Sequence, residues 1–243
     1  MDPLLMLGWC CQMSWGFAII ISLMVAPAQQ PAQTSDSEEL QRVLSRMDQT
    51  AANFRSTQAA FVWDQYQRVV DEHDTQKGIV YFRRAGNEIQ MAADINDPIP
   101  PKSVLFTDGK VEIYQPKIDQ VTRYNTGKDR AVVESFLVLG FGGSGRDLLK
   151  SFDVKYIGPE KVAGVDTAKL ELVPKSPKGR NTFDHILLWV DVSRGVSVQQ
   201  QLFEPSGDYR LAKYSDIQLN QKIPDGAFKL KTTGKTKVVS PQG

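Results

Sequence analysis

The sequence predicts one mainly β domain, in which a long, strongly curved antiparallel sheet carries helices on its concave face. Hydrophobicity alternates with a period of two along most of the chain after Phe54, and turn-forming residues separate the alternating segments. One interruption of helical period surrounds the glycine-rich stretch Gly140–Gly145. A chain of 243 residues is within the size range of single all-β domains. We therefore expect about eleven strands and three helices, in a sheet that must either close on itself or be plugged.

The N-terminal segment, residues 1–28, differs in composition from the rest of the chain. Leu4–Val25 is mostly apolar and contains no Lys or Arg, and it is followed by Ala26-Pro27-Ala28, the small-x-small pattern of a signal-peptidase site. We expect a cleaved signal peptide and export to the periplasm, with a solvated linker over residues 29–35 and a single domain over residues 36–243. The apolar run is also long enough to span a bilayer, so an uncleaved inner-membrane anchor is the alternative.

Charge and cysteine content exclude several classes of partner and site. The chain has 29 basic and 28 acidic residues, a formal net charge of +1, so we expect no nucleic-acid partner. Both cysteines, Cys10 and Cys11, lie in the N-terminal segment. The mature chain would therefore have no disulfides, no thiolate metal ligands and no cysteine nucleophile.

Local patterns predict three helices. Ser35-Asp36-Ser37-Glu38 fits a capping box, and apolar residues then recur at helical spacing as far as Phe54. Asp129–Leu139 and Arg146–Phe152 predict two more helices on either side of the glycine-rich stretch. The glycines that we expect to form a mobile hinge between these two helices are Gly140, Gly142, Gly143 and Gly145.

The strands are predicted from alternation bounded by turns. Asp71-Glu72-His73-Asp74 is expected to turn the chain after the first strand, and Asp108-Gly109 predicts a type I′ hairpin turn. The expected strands are Gln58–Val70, Gly78–Arg84, Glu88–Ala93, Val104–Phe106, Val111–Tyr114, Ile118–Tyr124, Val154–Ile157, Thr167–Val173, His185–Asp191, Gly195–Phe203, Tyr209–Ile217 and Phe228–Lys231.

The residues that commonly carry chemistry do not form a recognisable catalytic or metal-binding pattern. The two histidines, His73 in a charged turn and His185 at the start of a strand, would need carboxylates from distant segments to form a zinc site or a triad. Gly140–Asp147 differs from a phosphate-binding loop because Arg146-Asp147 stands where Lys and Ser/Thr are required. Most carboxylates lie in turns, and no close pair is evident. We expect no enzymatic activity, no catalytic or metal-binding residues and no cofactor.

Apolar side chains are predicted on one face of successive strands. Pattern alone cannot distinguish the filled core of any β-sandwich from a cavity lined for lipid, so both interpretations stay open. In the second hairpin the alternation leaves a choice between Leu105 and Phe106 and between Ile113 and Tyr114. The candidate lipid-binding residues are Phe61, Trp63, Val80, Phe82, Ile89, Met91, Phe106 and Tyr114.

Arg84 is the unusual member of the same face. On strict alternation it follows Val80 and Phe82 onto the apolar side, at the end of its strand. An arginine at the rim of an apolar face needs backbone carbonyls or a carboxylate as partners, and it could tether a helix that covers the opening. The alternative is that Arg84 bends out into solvent together with Arg83.

Several short motifs, taken in order, resemble the outer-membrane lipoprotein carrier family. Helix, long strand and export signal precede Gly78-x-Val80-x-Phe82-Arg83-Arg84, and Thr107-Asp108-Gly109-Lys110 is followed by Tyr114-x-Pro116 and Gln120. The resemblance covers nearly the whole mature chain. The later matching segments are Leu172-Val173-Pro174-Lys175, Asp216-Ile217 with Asn220, Ile223-Pro224, and Phe228.

The resemblance implies both a fold and a function. The family has an unclosed β-barrel of about eleven strands, in which helices form a lid over an apolar cavity that receives acyl chains. It implies a monomeric carrier that moves lipoproteins from an inner-membrane lipoprotein-releasing ABC transporter to an outer-membrane acceptor, without a cofactor. An arginine at the end of the second strand holds the family's lid closed, and Arg84 occupies that position. The Gly140–Gly145 hinge would let the lid helices move.

The sequence departs from the family at two places, which leaves the cargo open. Ala85 replaces the usual proline, and the strand around Ile89 and Met91 lacks the expected aromatic residues. A lipid that is not part of a lipoprotein is therefore also a possible cargo. Other functions stay open: a lipoprotein-binding sensor or regulatory protein of the same fold, a non-carrier β-barrel binding protein, and an enzyme or structural barrel with a filled core.

Overall fold

The computed structural model describes residues 35–86, 88–127, 130, 133, 136, 139, 141–224 and 226–241, and every structural statement refers to these residues. The signal-peptide prediction, with the alternative of an anchor, lies outside them, and so do most of the linker and of the predicted helix Asp129–Leu139. Within the described residues, no helix has the length and apolar character needed to cross a membrane.

Most of the described chain is β-structure. The helices with defined bounds are α1 (Asp36–Ala52), α2 (Gly145–Ser151) and α3 (Pro177–Thr182), and residues 130, 133 and 136 also have helical backbone. The strands are β1 (Ser56–Gln67), β2 (Glu72–Ala85), β3 (Glu88–Asp97), β4 (Lys102–Thr107), β5 (Lys110–Gln115), β6 (Gln120–Asn125), β7 (Phe152–Val162), β8 (Val165–Pro174), β9 (His185–Asp191), β10 (Ser197–Phe203), β11 (Tyr209–Leu219) and β12 (Lys237–Val239).

All twelve strands belong to one sheet in the order β12-β6-β5-β4-β3-β2-β1-β11-β10-β9-β8-β7. Neighbours are antiparallel, except that β12 runs parallel to β6. The sheet stays open because β12 and β7 are its two edges and do not pair with each other. The long-range pairing of β1 with β11 joins the two halves of the chain. The predicted unclosed, curved and mainly β fold is confirmed.

Some predicted elements were wrong in detail. The turn after β1 spans residues 68–71, and β2 already begins at Glu72 because Glu72–Gln76 continues the pairing with β1. Phe228–Lys231 is not a strand, since Phe228 packs against Tyr81 and Leu105 instead of joining the sheet ladder. The short helix α3 was not predicted. The Asp108-Gly109 turn has positive φ at both residues, as type I′ requires.

Helix α1 begins where the sequence indicates. The Ser35 hydroxyl accepts a hydrogen bond from the Glu38 backbone N–H (3.3 Å), and the Glu38 carboxylate accepts one from the Ser35 backbone N–H (3.4 Å). Its apolar stripe of Val43, Leu44 and Met47 is buried against the sheet face formed by β7, β8 and β9. The capping box is confirmed, and α1 covers the part of the sheet that β7, β8 and β9 form.

The sheet has two different faces. The inner face, which the helices cover, carries Leu170 and Leu188 in one half and Phe61, Val80 and Phe82 in the other. Directly opposed residues in an antiparallel pair point to the same side, so the strand registers fix which residues share this face. On the outer face, Phe228 and its neighbours in the C-terminal segment pack on β2, β3 and β4.

Candidate functional site

An apolar cavity of about 390 Å³ lies between the inner face of the sheet and the residues that cover it. This volume is within the range of ligand-binding pockets. Strands β1, β2, β3, β10 and β11 form its floor. The lining residues are Phe61, Trp63, Val80, Phe82, Met91, Ala93, Val133, Phe136, Thr182, Phe183, Gln200, Leu202, Arg210, Ala212 and Tyr214.

Five of the eight candidate lipid-binding residues line this cavity, namely Phe61, Trp63, Val80, Phe82 and Met91. The registers explain why they meet. Phe82 lies opposite Met91 across the β2–β3 ladder, and Phe61 lies opposite Tyr214 across the β1–β11 ladder. Alternation places these side chains on one face, and pairing makes that face continuous from β3 to β11.

The other three candidates lie elsewhere. Ile89 shares the inner face and packs in the cluster around Phe54, and Phe106 is buried opposite Met91, but neither lines the cavity. Placing Tyr114 on this face was wrong, because β4 and β5 oppose it to Ser103 on the outer face. The Tyr114 hydroxyl donates a hydrogen bond to Asp119 Oδ1 (3.1 Å).

The cavity also includes residues that the local sequence pattern did not identify as candidates. Strands β10 and β11 contribute Gln200, Leu202, Arg210, Ala212 and Tyr214. Their alternation was visible in the sequence. The signal that was missing is the pairing of β1 with β11, which brings residues about 150 positions apart onto one surface and cannot be derived from local pattern.

The few polar groups in the lining have defined states. Tyr214 is half-buried, and desolvation of its hydroxyl raises the pKa of that group to about 12, so the phenol is neutral. Gln200 Nε2 donates a hydrogen bond to that hydroxyl. Arg210 pairs with Glu204 (2.8 Å), while its Nε is buried without a hydrogen-bond partner among the described residues. Arg210 is the one charged side chain among the described lining residues.

Phe141 packs behind two residues of the cavity lining. It is almost fully buried, with its ring centroid 5.3 Å from that of Phe82 and 5.2 Å from that of Tyr214. Both neighbours line the cavity. The start of the segment that leads into α2 therefore supports two residues of the lining.

Arg84 holds this segment against the sheet. Its Nη2 donates to the Gly142 carbonyl oxygen (3.2 Å) and its Nε donates to the Phe54 carbonyl oxygen (3.4 Å). The sequence predicts backbone carbonyls or a carboxylate as the partners of Arg84 if it stays on the apolar side, and the observed partners are backbone carbonyls. Arg83 points the other way, with its guanidinium 4.0 Å from the Phe228 ring centroid and its Nε bonded to Gln90 Oε1 (2.7 Å).

The glycines of the predicted hinge have a packing role in the structure. Gly142 has φ +86°, and a Cβ there would lie 2.8 Å from the Phe54 ring. Gly145 is the first residue of α2, and a Cβ there would lie 2.5 Å from the Leu44 carbonyl oxygen of α1. Gly143 is buried as well, and Gly140 lies outside the described residues. Positive φ and the Phe54 ring explain Gly142, and close approach to the α1 backbone explains Gly145, whereas hinge motion stays a prediction.

Both histidines lie on the outer face, away from the cavity. His73 Nδ1 lies 2.8 Å from Asp64 Oδ2, and His185 Nδ1 lies 2.8 Å from Asp184 Oδ2. Among the described residues, no group of three or more His, Cys, Asp or Glu side chains is arranged to hold a metal ion. The cavity is therefore the feature with binding potential, and its chemistry is that of an apolar ligand site with a few polar groups.

Comparison with known proteins gives a family and a fold. The family model described as outer membrane lipoprotein carrier protein LolA matches residues 52–231, more than half of the chain. No curated protein matches the chain.

Among solved structures, an uncharacterized conserved protein from Thermus thermophilus has a TM-score of 0.52 at 12% identity, covering 84% of this chain and 99% of that chain. The crystal structure of MucB has a TM-score of 0.51 at 15% identity, and the match covers 83% of this chain and 65% of that one. The LolA superfamily protein NE2245 from Nitrosomonas europaea has a TM-score of 0.39 at 16% identity, covering 79% and 97%. The first two likenesses support the fold.

Proposed function

The chain belongs to the outer membrane lipoprotein carrier protein LolA family, and we propose that it is a periplasmic carrier that shelters lipoprotein acyl chains on their way from the inner to the outer membrane. The apolar cavity carries this proposal. A methylene group exposed to water costs about 0.8 kcal/mol, so a carrier must offer an apolar lining to each chain that it moves. The proposed partners are an acylated lipoprotein, a releasing ABC transporter and an outer-membrane acceptor.

The lining suits an acyl group that ends in a polar linkage. Aromatic and aliphatic side chains form most of it, and Met91 adds an adaptable side chain where the family has aromatic residues. Arg210 stands at the start of β11, near Thr182 and Phe183. As the charged residue of the described lining, its guanidinium can donate a hydrogen bond to the ester or amide oxygen of a bound lipid.

The test compares lipopeptide binding by two variants of adjacent residues on opposite faces. Ala212 lines the cavity and lies opposite Trp63, whereas Lys213 is exposed on the outer face. Ala212→Trp fills part of the cavity, and Lys213→Trp adds the same side chain outside it. Native mass spectrometry of detergent-free protein with a triacylated lipopeptide should show acyl adducts in the wild type and in Lys213→Trp, and far fewer in Ala212→Trp. Equal occupancy in all three proteins would refute binding in this cavity.

A sensor of the same fold is the second candidate, because the fold is shared with MucB, of which this chain spans 65%. The two functions differ in the step after binding. A carrier transfers labelled lipopeptide to an acceptor membrane, whereas a sensor retains it and changes its affinity for a protein partner. A transfer assay with the wild type therefore separates them.

A further inference from the structure

One end of the sheet displays aliphatic side chains to solvent. The four most exposed aliphatic residues of the described chain are Val69 (89% exposed), Ile99 (85%), Ile118 (58%) and Val70 (55%). Val69 and Val70 form the tip of the β1–β2 hairpin, and Ile99 and Ile118 lie in the β3–β4 and β5–β6 connections. The antiparallel registers place these three connections at the same end of the sheet.

With the β10–β11 turn beside it, the β1–β2 hairpin extends well beyond β3 at this end. Its pairing continues to Gln67 and Glu72, whereas β3 stops opposite Lys77. Five further residues of β2 at ~3.3 Å each therefore extend the hairpin by ~16 Å beyond β3. Val69 and Val70 thus lie at the tip of a hairpin that extends beyond β3.

The tip is braced, so the exposure of the two valines is a built feature. The Tyr66 ring stacks on that of Tyr209 (5.1 Å between centroids) and lies 4.9 Å from that of His73. The Tyr66 hydroxyl donates to Asp71 Oδ1 (2.9 Å), and the Arg68 backbone N–H donates to Asp208 Oδ1 (2.9 Å). The carboxylates of Asp71 and Asp208 are therefore engaged within the protein. Three cations at this end, Arg68, Lys102 and Lys117, form no ion pair among the described residues.

The chemistry of the tip fits a lipid bilayer better than a protein. Stable protein interfaces bury about 1,200–2,000 Å² and contain a packed apolar centre, which two valines on a turn cannot provide. Shallow insertion into a bilayer needs only apolar area at the tip, tyrosine rings at the level of the headgroups, and cations near the phosphates. Val69 and Val70 supply the apolar area. Tyr66 and Tyr209 supply the tyrosine rings, and Arg68 supplies a cation.

We propose that the β1–β2 hairpin inserts Val69 and Val70 into the interface of a phospholipid bilayer and thereby docks this end of the protein on the membrane. The cavity reaches toward the same end, where Trp63 on β1 and Arg210 on β11 are the lining residues nearest to the hairpin. This contact would give acyl chains a short path between the cavity and the membrane, and that use of it rests on the proposed function. The membrane contact itself is independent of the proposed function.

The absence of cysteine after Cys11 allows a site-specific test. Thr34–Gly243 forms a compact unit of its own, so the protein can be produced from Gln29 onward and labelled at a single introduced cysteine. Val69→Cys places an environment-sensitive fluorophore at the tip. Val192→Cys is the matched control, because Val192 is 48% exposed in the β9–β10 turn at the opposite end of the sheet.

Vesicles of phosphatidylethanolamine and phosphatidylglycerol, with and without brominated acyl chains, provide the readout. We expect a blue shift and bromine quenching of the label at position 69, and neither at position 192. Unlabelled protein with Val69→Ser and Val70→Ser should bind the vesicles about tenfold more weakly than the wild type, and Val192→Ser should bind normally. No quenching at position 69, or equal quenching at both positions, would overturn the proposal.

Lipopeptide binding in the absence of vesicles separates this inference from the proposed function. The double serine variant keeps the cavity intact, so its lipopeptide occupancy should equal that of the wild type. Loss of vesicle binding with normal lipopeptide occupancy supports a docking role for the hairpin. Wild-type protein that inserts at position 69 but takes up no lipopeptide would retain the docking surface and refute the carrier.

Discussion

Replacing Arg84 by leucine should favour the open form of the cavity. The two hydrogen bonds from Arg84 to the carbonyl oxygens of Gly142 and Phe54 measure 3.2 and 3.4 Å, longer than the usual 2.9–3.0 Å. Because Arg84 is exposed to solvent, each bond is assigned the lower part of the usual range, about 0.5–1 kcal/mol. Only the bond to Gly142 joins Arg84 to the segment that leads into α2, so its loss shifts the equilibrium between closed and open forms by about 0.5–1 kcal/mol, or about 2- to 5-fold.

The assay is the affinity for a triacylated lipopeptide, with native mass spectrometry to count acyl adducts in freshly purified protein. If the binding-competent form is a minor one, apparent affinity should rise by the same factor as its population. Arg83→Leu is the control, because Arg83 contacts Phe228 and Gln90 on the outer face and does not reach Gly142. Affinity that is unchanged or lower in Arg84→Leu, at normal stability, would refute the tethering role of Arg84.

Three further predictions concern the scaffold. Gly145→Ala should destabilise the fold by about 1–3 kcal/mol in urea unfolding, because its Cβ would meet the Leu44 carbonyl oxygen at 2.5 Å, whereas Gly234→Ala, with open space around it, should change little. Asp191→Ala should lower the free energy of unfolding by about 2–4 kcal/mol in the same assay, because two donors would lose a buried partner. Asp191 Oδ1 accepts from the Ser193 backbone N–H (2.8 Å), and its Oδ2 accepts from Arg194 Nε (2.6 Å). A loss below about 0.5 kcal/mol would contradict this. Hydrogen bonds from Thr233 and then Thr236 lower the pKa of Asp119, so their stabilisation of the C-terminal segment is present above the ordinary carboxyl pKa and is lost as pH falls through the lowered value. The protection factors of the β12 amides, which are the exchange rates corrected for the intrinsic effect of pH, should therefore fall in acid, and Asp119→Asn should remove this dependence on pH.

The local sequence patterns predicted helix starts and turns correctly where the residues involved favour a single local structure. Ser35 and Glu38 fixed the start of α1, and Asp108-Gly109 fixed a type I′ turn. Alternation placed Phe61 and Phe82 on the correct face. It was misleading for Phe228–Lys231, because an apolar residue in an extended segment can either join a sheet or cover one, and the same pattern serves both.

The choice between Ile113 and Tyr114 shows a second limit. In a short hairpin, a shift of one residue exchanges the two faces, and only the register of β4 with β5 decides between them. The structure places Ile113 opposite Val104 on the inner face, so Tyr114 faces outward to Asp119. The aromatic character of Tyr114 had favoured it as a lining residue, but the pairing geometry decides.

The sequence by itself determined the period, the turns, the apolar face and the resemblance that placed Arg84 at the end of the second strand. Only the tertiary structure showed that this face lines an apolar cavity that is open to one side, and that β10 and β11 contribute to its lining. The physical reason is that a cavity depends on the distance between surfaces. The β1–β11 pairing forms one of these surfaces, and Phe136 and Phe183 lie on the other. Periodicity specifies the direction of a side chain, but it contains no information about the residues that lie across from it.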